Sequence, residues 1–370
     1  MNRPAFHGSY RAQDVEFLLK PLGRGDLNMP ANVEEKEALI QSGQRHYSEM
    51  LTPESLPSEA YCRLFFAALA RNGARMAAGC LTLAQHIAAN VSKPVLLSLA
   101  RAGTPVGVIV AHILRWLTGQ AVPHYSLSII RDRGIDANAL DAVLARGAAP
   151  QSLVFIDGWT GKGVIADELQ AALAAYNERR GAQIAPRLWV FADLAGKAYC
   201  AASREDYLMP SAILNATVSG LVSRSVLNAA IGADDFHGCL FYGDDAAFVA
   251  CDVSVWFVDD LLQRVRALLQ KPQNNVPLYF GNEGQQQRCA DFLAAEMARY
   301  GVADRNLIKP GIGEATRVLL RRLPQRVVVK SQQHADVQHL LALAREKGVP
   351  VEARPDLPLV QALAIIKGNT

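Results

Sequence analysis

The chain has no apolar run long enough to cross a membrane without a charge, glycine or proline interrupting it. Its first residues, Met1 to Phe6, lead into charged residues without the apolar stretch of a secretory signal. The six cysteines are scattered and form no C-x-x-C pair, which argues against a zinc site or a disulfide framework and suits a reducing compartment. We therefore expect a cytoplasmic protein with no membrane partner.

A strong charge of one sign is also missing, since the net charge is +3. Half of the residues are hydrophobic and 20% are charged, which argues against disorder and allows a sizeable core. At 370 residues the chain is long enough for two or three domains. Residues 276–370 hold 13 Lys and Arg against 9 Asp and Glu, a basic excess that indicates a polyanionic partner or only a solvated surface.

After residue 58, short apolar strands alternate with amphipathic helices. Strands are predicted at 94–99, 124–130, 153–156 and 188–191, and helices from 58 and at 105–117 and 164–176. This alternation predicts an α/β fold, with a parallel sheet covered by helices on both sides. Ligands of such sheets bind at the carboxyl ends of the strands, so Arg101, Asp157 and Asp193 are the residues to consider first.

A polar, proline-containing stretch at residues 271–275 predicts a domain boundary. The first domain, residues 1–270, then includes an N-terminal extension. The second, residues 276–370, has its own small α/β pattern. Its strands are predicted at 278–280, 327–329 and 349–351, and its helices at 285–300, 314–322 and 336–346.

One strand is followed by a loop with the composition of an anion site. The strand ends at Asp157, and residues 158–163 then supply glycines, Thr160 and Lys162 before a helix begins. Backbone N–H groups and the helix dipole favour an anion there. The spacing matches neither the Walker nor the dinucleotide-binding pattern. Residues 101–107 follow another strand and could form a second anion cradle, which would suit a substrate with phosphates at both ends. An ordinary strand–turn–helix joint is the alternative.

Residues 101–103, 130–136, 153–163 and 218–224 together resemble the phosphoribosyltransferase family encoded near tellurium-resistance stress genes in bacteria. Members of that family carry a C-terminal Pelota-type RNA-binding domain, and some bear the label cysteine protease. The resemblance implies a type I phosphoribosyltransferase-like parallel sheet and a small L7Ae/Pelota-like α/β domain. It also implies a stress-response transferase that uses phosphoribosyl pyrophosphate (PRPP) with Mg²⁺ and an unidentified base or nucleophile to make a ribonucleotide or nucleoside-like metabolite.

The resemblance implies a set of site residues and no protein ligand for a metal. Asp157 would contact the ribose hydroxyls, Arg101 the pyrophosphate, and Asp193 the base or nucleophile. The implied phosphate contacts are Thr160, Gly161, Lys162, Gly163, Ala102 and Gly103, with Arg131 and Arg133 on a loop that closes over them. The alternatives are a solvated loop for the two arginines and a capping role for Asp193. Arg224 is a further candidate.

The C-terminal part contains a glycine-rich turn before a basic helix. It resembles the loop and helix of L7Ae/Pelota-type RNA-binding domains, which hold an RNA backbone or kinked bases. The implied RNA contacts are Lys309, Gly311, Gly313, Arg317 and Arg321, with Arg322 beside them. A capped amphipathic helix with surface arginines is the alternative.

Two other functions stay open. Gly158 stands where the usual PRPP loop has a second acid, which favours a non-catalytic regulator that binds a nucleotide or RNA. A cysteine protease needs a thiolate and a base, and His237 lies close to Cys239 in sequence, with Cys200 as another thiol. Because Cys239 begins an apolar run, we expect it to be a buried structural thiol instead. A homo-oligomer is also compatible with the sequence.

Overall fold

The computed structural model describes residues 5–270 and 276–368, so the predicted linker at 271–275 lies outside the described residues. The first part of the chain is an α/β structure. Its elements are β1 (Glu16–Leu18), β2 (Lys20–Pro21), α1 (Val33–Gln41), α2 (Glu59–Asn90), β3 (Val95–Leu99), α3 (Gly103–Thr118), β4 (His124–Leu127), β5 (Ile129–Ile130), β6 (Gly134–Ile135), α4 (Ala137–Ala145), β7 (Leu153–Thr160), α5 (Val164–Arg180), β8 (Leu188–Asp193), β9 (Cys200–Ala201), β10 (Gly238–Cys239), α6 (Ala246–Ala250) and α7 (Ser254–Leu269).

A seven-stranded sheet forms the centre of this part and includes one later strand, β11 (Tyr279–Phe280). Its order is β1-β4-β3-β7-β8-β9-β11, and its pairs are parallel except that of β9 with β11. Successive side chains of a strand face opposite sides. Accordingly, Leu96 and Val154 join the core formed with α2, α3 and α7, whereas Leu97 and Phe155 join the core formed with α4 and α5. The predicted α/β fold with a mostly parallel sheet is confirmed; its phosphoribosyltransferase form stays a prediction.

Local signals in the sequence explain how two long helices are placed. α2 begins after Ser58, whose Oγ accepts the Tyr61 backbone N–H at 3.2 Å and so caps the first turn. α3 lies so close to the sheet that a Cβ on Gly107 would overlap the imidazole of His124. A glycine is therefore required for this contact, and the close approach of Gly103 to Ile156 places the start of α3 beside β7.

The C-terminal part is smaller. It contains α8 (Glu283–Tyr300), β12 (Ile308–Pro310), α9 (Ile312–Arg321), β13 (Pro324–Val329), α10 (Gln338–Glu346), β14 (Val351–Ala353) and β15 (Ala362–Ile366). Its four strands pair in the order β12-β15-β13-β14. We predicted Tyr279 and Phe280 in this domain, but they pair with the central sheet of the first part, where Phe280 packs against the rings of His86 and Tyr199.

The two parts share buried contacts. Ile312, Val318 and Leu340 belong to the same apolar cluster as the core side chains of α2 and α3. Asp206 of the first part accepts the backbone N–H groups of Ile312 at 2.8 Å and Gln361 at 2.7 Å. The C-terminal part is thus packed directly on the carboxyl edge of the central sheet. No helix within residues 5–270 and 276–368 is long and apolar enough to cross a membrane.

Candidate functional site

The predicted anion loop lies where β7 ends and α5 begins. β7 extends to Thr160, whose Oγ1 accepts the Gly163 N–H at 2.9 Å, and Gly163 takes a φ of 78° just before α5. That positive φ favours glycine at this position. The Lys162 ammonium donates to the Arg305 carbonyl oxygen at 2.6 Å, so the loop is tied to the C-terminal part.

The second predicted cradle, residues 101–103, lies beside this loop and is buried. Arg101 donates to the Val222 carbonyl oxygen at 2.7 Å and forms a 2.5 Å ion pair with Glu54. Burial alone would raise the pKa of Glu54, but Arg101 and Arg321 hold that pKa below its usual value. A Cβ on Gly103 would overlap the Ile156 carbonyl oxygen, which explains why α3 starts at a glycine.

Two cavities lie between the edge of the sheet and α9, and they share Asp157, Trp159, Ile165 and Arg317. The first, of about 170 Å³, is also lined by Arg101, Ala102, Ser211, Arg224 and Arg321. The second, of about 250 Å³, is also lined by Arg131, Lys162, Lys309, Glu314 and Arg322. We call the two together the interdomain cleft.

Basic groups outnumber acidic groups in the cleft, and burial together with the neighbouring charges shifts the pKa values of these groups. Burial and the neighbouring Arg101 lower the pKa of Arg321 to about 9. Burial and Lys309 lower the pKa of Lys162 to about 7. Burial also raises the pKa of Asp157 to about 6, although Arg317 opposes this change. An anion bound here would relieve the repulsion between the cations.

Several polar atoms around the first cavity are buried without a hydrogen-bond partner in the described part of the chain. They are Trp159 Nε1, Ser211 Oγ and Arg321 Nε. Buried polar atoms normally have partners, so unpaired donors next to a cavity are consistent with a missing ligand that accepts hydrogen bonds. An anion with several oxygen atoms has that chemistry.

Among the residues predicted to contact RNA, Lys309, Arg317 and Arg321 line the cleft. Arg317 lies over the Trp159 ring, with Cζ 4.2 Å from the ring centroid, and Gly313 packs against the same ring. Gly311 has a φ of 95° at the start of α9, and Lys309 lines the second cavity. An RNA that uses these residues would have to enter between the two parts of the chain.

Of three other predicted residues, Arg131 reaches the cleft, whereas Asp193 and Arg133 have defined partners away from it. The Asp193 carboxylate accepts backbone N–H groups from Ala195, Gly196 and Ala198, at 2.8–2.9 Å, and so holds the turn between β8 and β9 rather than capping a helix. Arg131 lines the second cavity, whereas Arg133 pairs with Glu49 at 3.3 Å. Asp193 thus has structural contacts that account for its position.

The thiols differ in their surroundings. Burial alone raises the pKa of Cys80, of Cys200 and of Cys239. His237, the predicted base, instead bonds Ser128 Oγ through Nδ1 at 2.8 Å. Burial, with Asp193, also raises the pKa of Cys289 above its usual value, although Arg305, Lys197 and Lys162 oppose this change. Cys289 lies in α8, with Sγ 3.9 Å from the Gly161 carbonyl oxygen.

Sequence reasoning missed four residues of this region: Glu54, Trp159, Glu314 and Cys289. Glu54 lies in an irregular segment, and Cys289 lies on a helix of the other domain. Trp159 was inside the predicted loop, and an aromatic residue between glycines was the one available signal.

Comparison with known proteins identifies the family. Residues 8–262 match the family described as tellurite-like stress resistance cysteine protease StiP, and residues 287–368 match the PELOTA RNA binding domain. The chain is 38% identical over 364 residues to cysteine protease StiP of Acinetobacter baylyi, covering 96% of this chain and 92% of that protein. The chain therefore belongs to the StiP family of stress resistance proteins and carries a Pelota-type domain.

Similarity to solved structures is low. A hypothetical protein from Neisseria gonorrhoeae with bound ppGpp aligns at 12% identity and a TM-score of 0.21, covering 33% of this chain and 66% of that one. An amino transferase from Eubacterium rectale aligns at 13% identity and the same TM-score, covering 76% of this chain and 71% of that one. Neither alignment bears on the fold or the function.

The predicted transferase activity was wrong. The matching family and the curated relative are both named as cysteine proteases, so the assignment of a PRPP-dependent phosphoribosyltransferase, with its base or nucleophile acceptor, is overturned. The stress-resistance family and the Pelota-type domain, which the same resemblance implied, are confirmed. The physical reason for the error is that a glycine-rich loop at a helix start favours any anion, and says little about the reaction.

Proposed function

We propose that this chain has the cysteine protease activity for which its curated relative is named, acting in the cytoplasm in a stress response. The observation that carries the proposal is the extent of the similarity: 38% identity over 96% of this chain and 92% of the relative. Because nearly the whole of both chains aligns, the segments that would hold a catalytic thiol are shared.

Cys289 is the thiol that we assign as the nucleophile; it lies in the segment that matches the Pelota domain, residues 287–368, across the junction from the segment that matches the protease family, residues 8–262. A reactive cysteine needs positive neighbours or a base that favour the thiolate. Among the described thiols with a shifted pKa, Cys289 alone has cationic side chains that lower it, although burial still prevails. Its side chain faces Gly161 at the junction of the two parts, so substrate would reach it when that junction opens.

Hydrolysis of a fluorescent casein by the full chain tests this assignment. We expect Cys289→Ser to reduce turnover at least 100-fold, since the attacking thiolate is lost, while Cys239→Ser and Cys200→Ser keep it, measured per folded protein. Full activity in Cys289→Ser would reject Cys289 as the nucleophile. A folded wild-type protein that cleaves neither casein nor a peptide library would reject the protease function.

A second function is favoured by the cleft: binding of a phosphate-bearing ligand, with RNA as the class. Arg101, Arg224, Arg317 and Arg321 line one cavity of about 170 Å³, and Lys162 and Lys309 line the next. The match of residues 287–368 to an RNA binding domain points to RNA. Phosphate contacts made by such cations give salt-sensitive affinity. Mg²⁺ would enter with the phosphates, because it is coordinated by the oxygen atoms of phosphates and of water molecules.

Titration with short structured RNAs and a scrambled control at several salt concentrations tests RNA binding. Arg317→Ala and Arg321→Ala should each weaken binding at least fivefold and reduce the salt dependence. Arg299→Ala, which removes the same charge from the exposed end of α8, should leave both unchanged. Equal, weak binding of all RNAs at physiological salt would reject this function.

A further inference from the structure

Glu314 lies directly on the predicted anion loop. It is in the first turn of α9, whereas the loop belongs to the first part of the chain. A Cβ on Gly161 would come within 2.7 Å of the Pro310 carbonyl oxygen and 3.1 Å of Glu314 Cγ. The absence of a side chain at Gly161 thus makes room for the C-terminal domain and brings its glutamate onto the loop.

The surroundings of Glu314 are those of a bound anion. Arg317 Nη1 donates to its Oε1 at 2.9 Å. Burial alone would raise the pKa of this carboxyl, but Arg317, Lys309 and Lys162 hold it below its usual value, so the group is ionised at neutral pH. The glutamate therefore supplies negative charge in the same place where Lys162 and Lys309 would meet a phosphate.

The backbone explains why a phosphate could take the same place. The Thr160–Gly163 turn precedes α5, a helix of 17 residues, whose N-terminal N–H groups favour negative charge. Lys162 is only 6% exposed and Thr160 only 5%, so the loop is not an ordinary solvated turn. The carboxylate of Glu314 and a ligand phosphate would compete for this place, because they carry the same charge and both would lie beside Lys162 and Lys309 in one cavity.

We propose that Glu314 is an internal substitute for the ligand, which keeps the anion site of the cleft closed until a phosphate group displaces it. This inference rests on the phosphate-binding function proposed above. It makes the Pelota-type domain a regulator of the site on the first part of the chain. A ligand then has to provide more favourable contacts than the glutamate before it can bind.

Calorimetric titration of inorganic pyrophosphate into the full chain tests the proposal. We expect Glu314→Gln to bind pyrophosphate at least tenfold more tightly than wild type, because the competing charge is gone. Glu314→Asp keeps the charge but shortens its reach by one methylene, so it should also bind more tightly, by a smaller factor. Glu283→Gln, at an exposed position in the first turn of α8, is the matched control and should bind as wild type does.

The outcomes separate this inference from the function on which it rests. Equal or weaker binding by Glu314→Gln overturns the inference. A gain in Glu314→Gln that is absent in Glu314→Asp also overturns it, since net charge alone would then explain the gain. If wild type and Glu314→Gln bind pyrophosphate equally and Lys162→Ala binds it less tightly, the phosphate site exists but Glu314 does not regulate it. If no variant binds pyrophosphate, both proposals fail.

Discussion

Gly161→Ala should open the junction between the two parts of the chain. The new Cβ would lie 2.7 Å from the Pro310 carbonyl oxygen and 3.1 Å from Glu314 Cγ. The glutamate can turn away, but the backbone oxygen of β12 cannot move without shifting its pairing with β15. Forcing one extra carbon into a packed contact costs about 1–3 kcal/mol. This contact exists only when the C-terminal part packs against the first part, so we expect the substitution to destabilise that packed arrangement by this amount.

The assay is the rate at which iodoacetamide alkylates Cys289, measured by mass spectrometry. Cys289 is only 2% exposed and faces Gly161, so it reacts when the junction opens. A docking equilibrium weakened by about 1–3 kcal/mol should raise its labelling rate roughly 5- to 150-fold. Gly25→Ala is the matched control, because a Cβ there meets no atom within 4 Å. Unchanged Cys289 labelling and unchanged thermal stability in Gly161→Ala would refute the reasoning.

Three further predictions concern the same region. Removing Arg101 leaves Glu54 buried with only the more distant Arg321 as an ion-pair partner, so Arg101→Ala should lower the free energy of unfolding by about 3 kcal/mol. The double variant Arg101→Met, Glu54→Met removes both charges and should lower it by less. Equal losses for the two variants in urea denaturation would contradict this reasoning. RNA affinity should rise as pH falls from 7 to 5, because Asp157, with a pKa of about 6, loses its negative charge and Lys162, with a pKa of about 7, becomes fully charged, while phosphodiesters keep their charge. Asp157→Asn should weaken that dependence and leave the part due to Lys162, and an unaltered profile would exclude Asp157 from the site. Native Cys80 should stay unlabelled by iodoacetamide at pH 7, because burial raises its pKa to about 12; rapid labelling would show that α2 opens.

Much of the fold was visible in the sequence because the central strands are covered on both faces. β3 and β8 are apolar along almost their whole length, and such runs between helices predict a parallel sheet. The N-terminal region was not predicted, because β1 is only three residues long and begins with Glu16. So short a strand is stabilised by pairing with β4, and pairing has no local signature.

The candidate site could be predicted only in part. Arg101 follows β3, Lys162 follows β7 and Asp157 lies in the carboxyl half of β7, so the rule for α/β sheets located them. Glu54 and Glu314 come from segments far away in sequence, and only tertiary packing brings Glu314 to the cleft and Glu54 to its lining residue Arg101. Resemblance identified the family and the Pelota-type domain but implied the wrong reaction, because the phosphate-loop pattern describes how an anion is held.

The pairing of Tyr279 and Phe280 with β9 has a practical consequence for dissecting the protein. The chain adds this last strand to the first sheet before it begins α8. A fragment ending at residue 270 would leave the backbone of β9 as an open edge, and open edges recruit strands from other molecules. Such a fragment should aggregate, whereas one that extends through residue 281 retains the protecting strand. The first module therefore extends through residue 280, and recombination between families would have to keep Tyr279 and Phe280 with the first module.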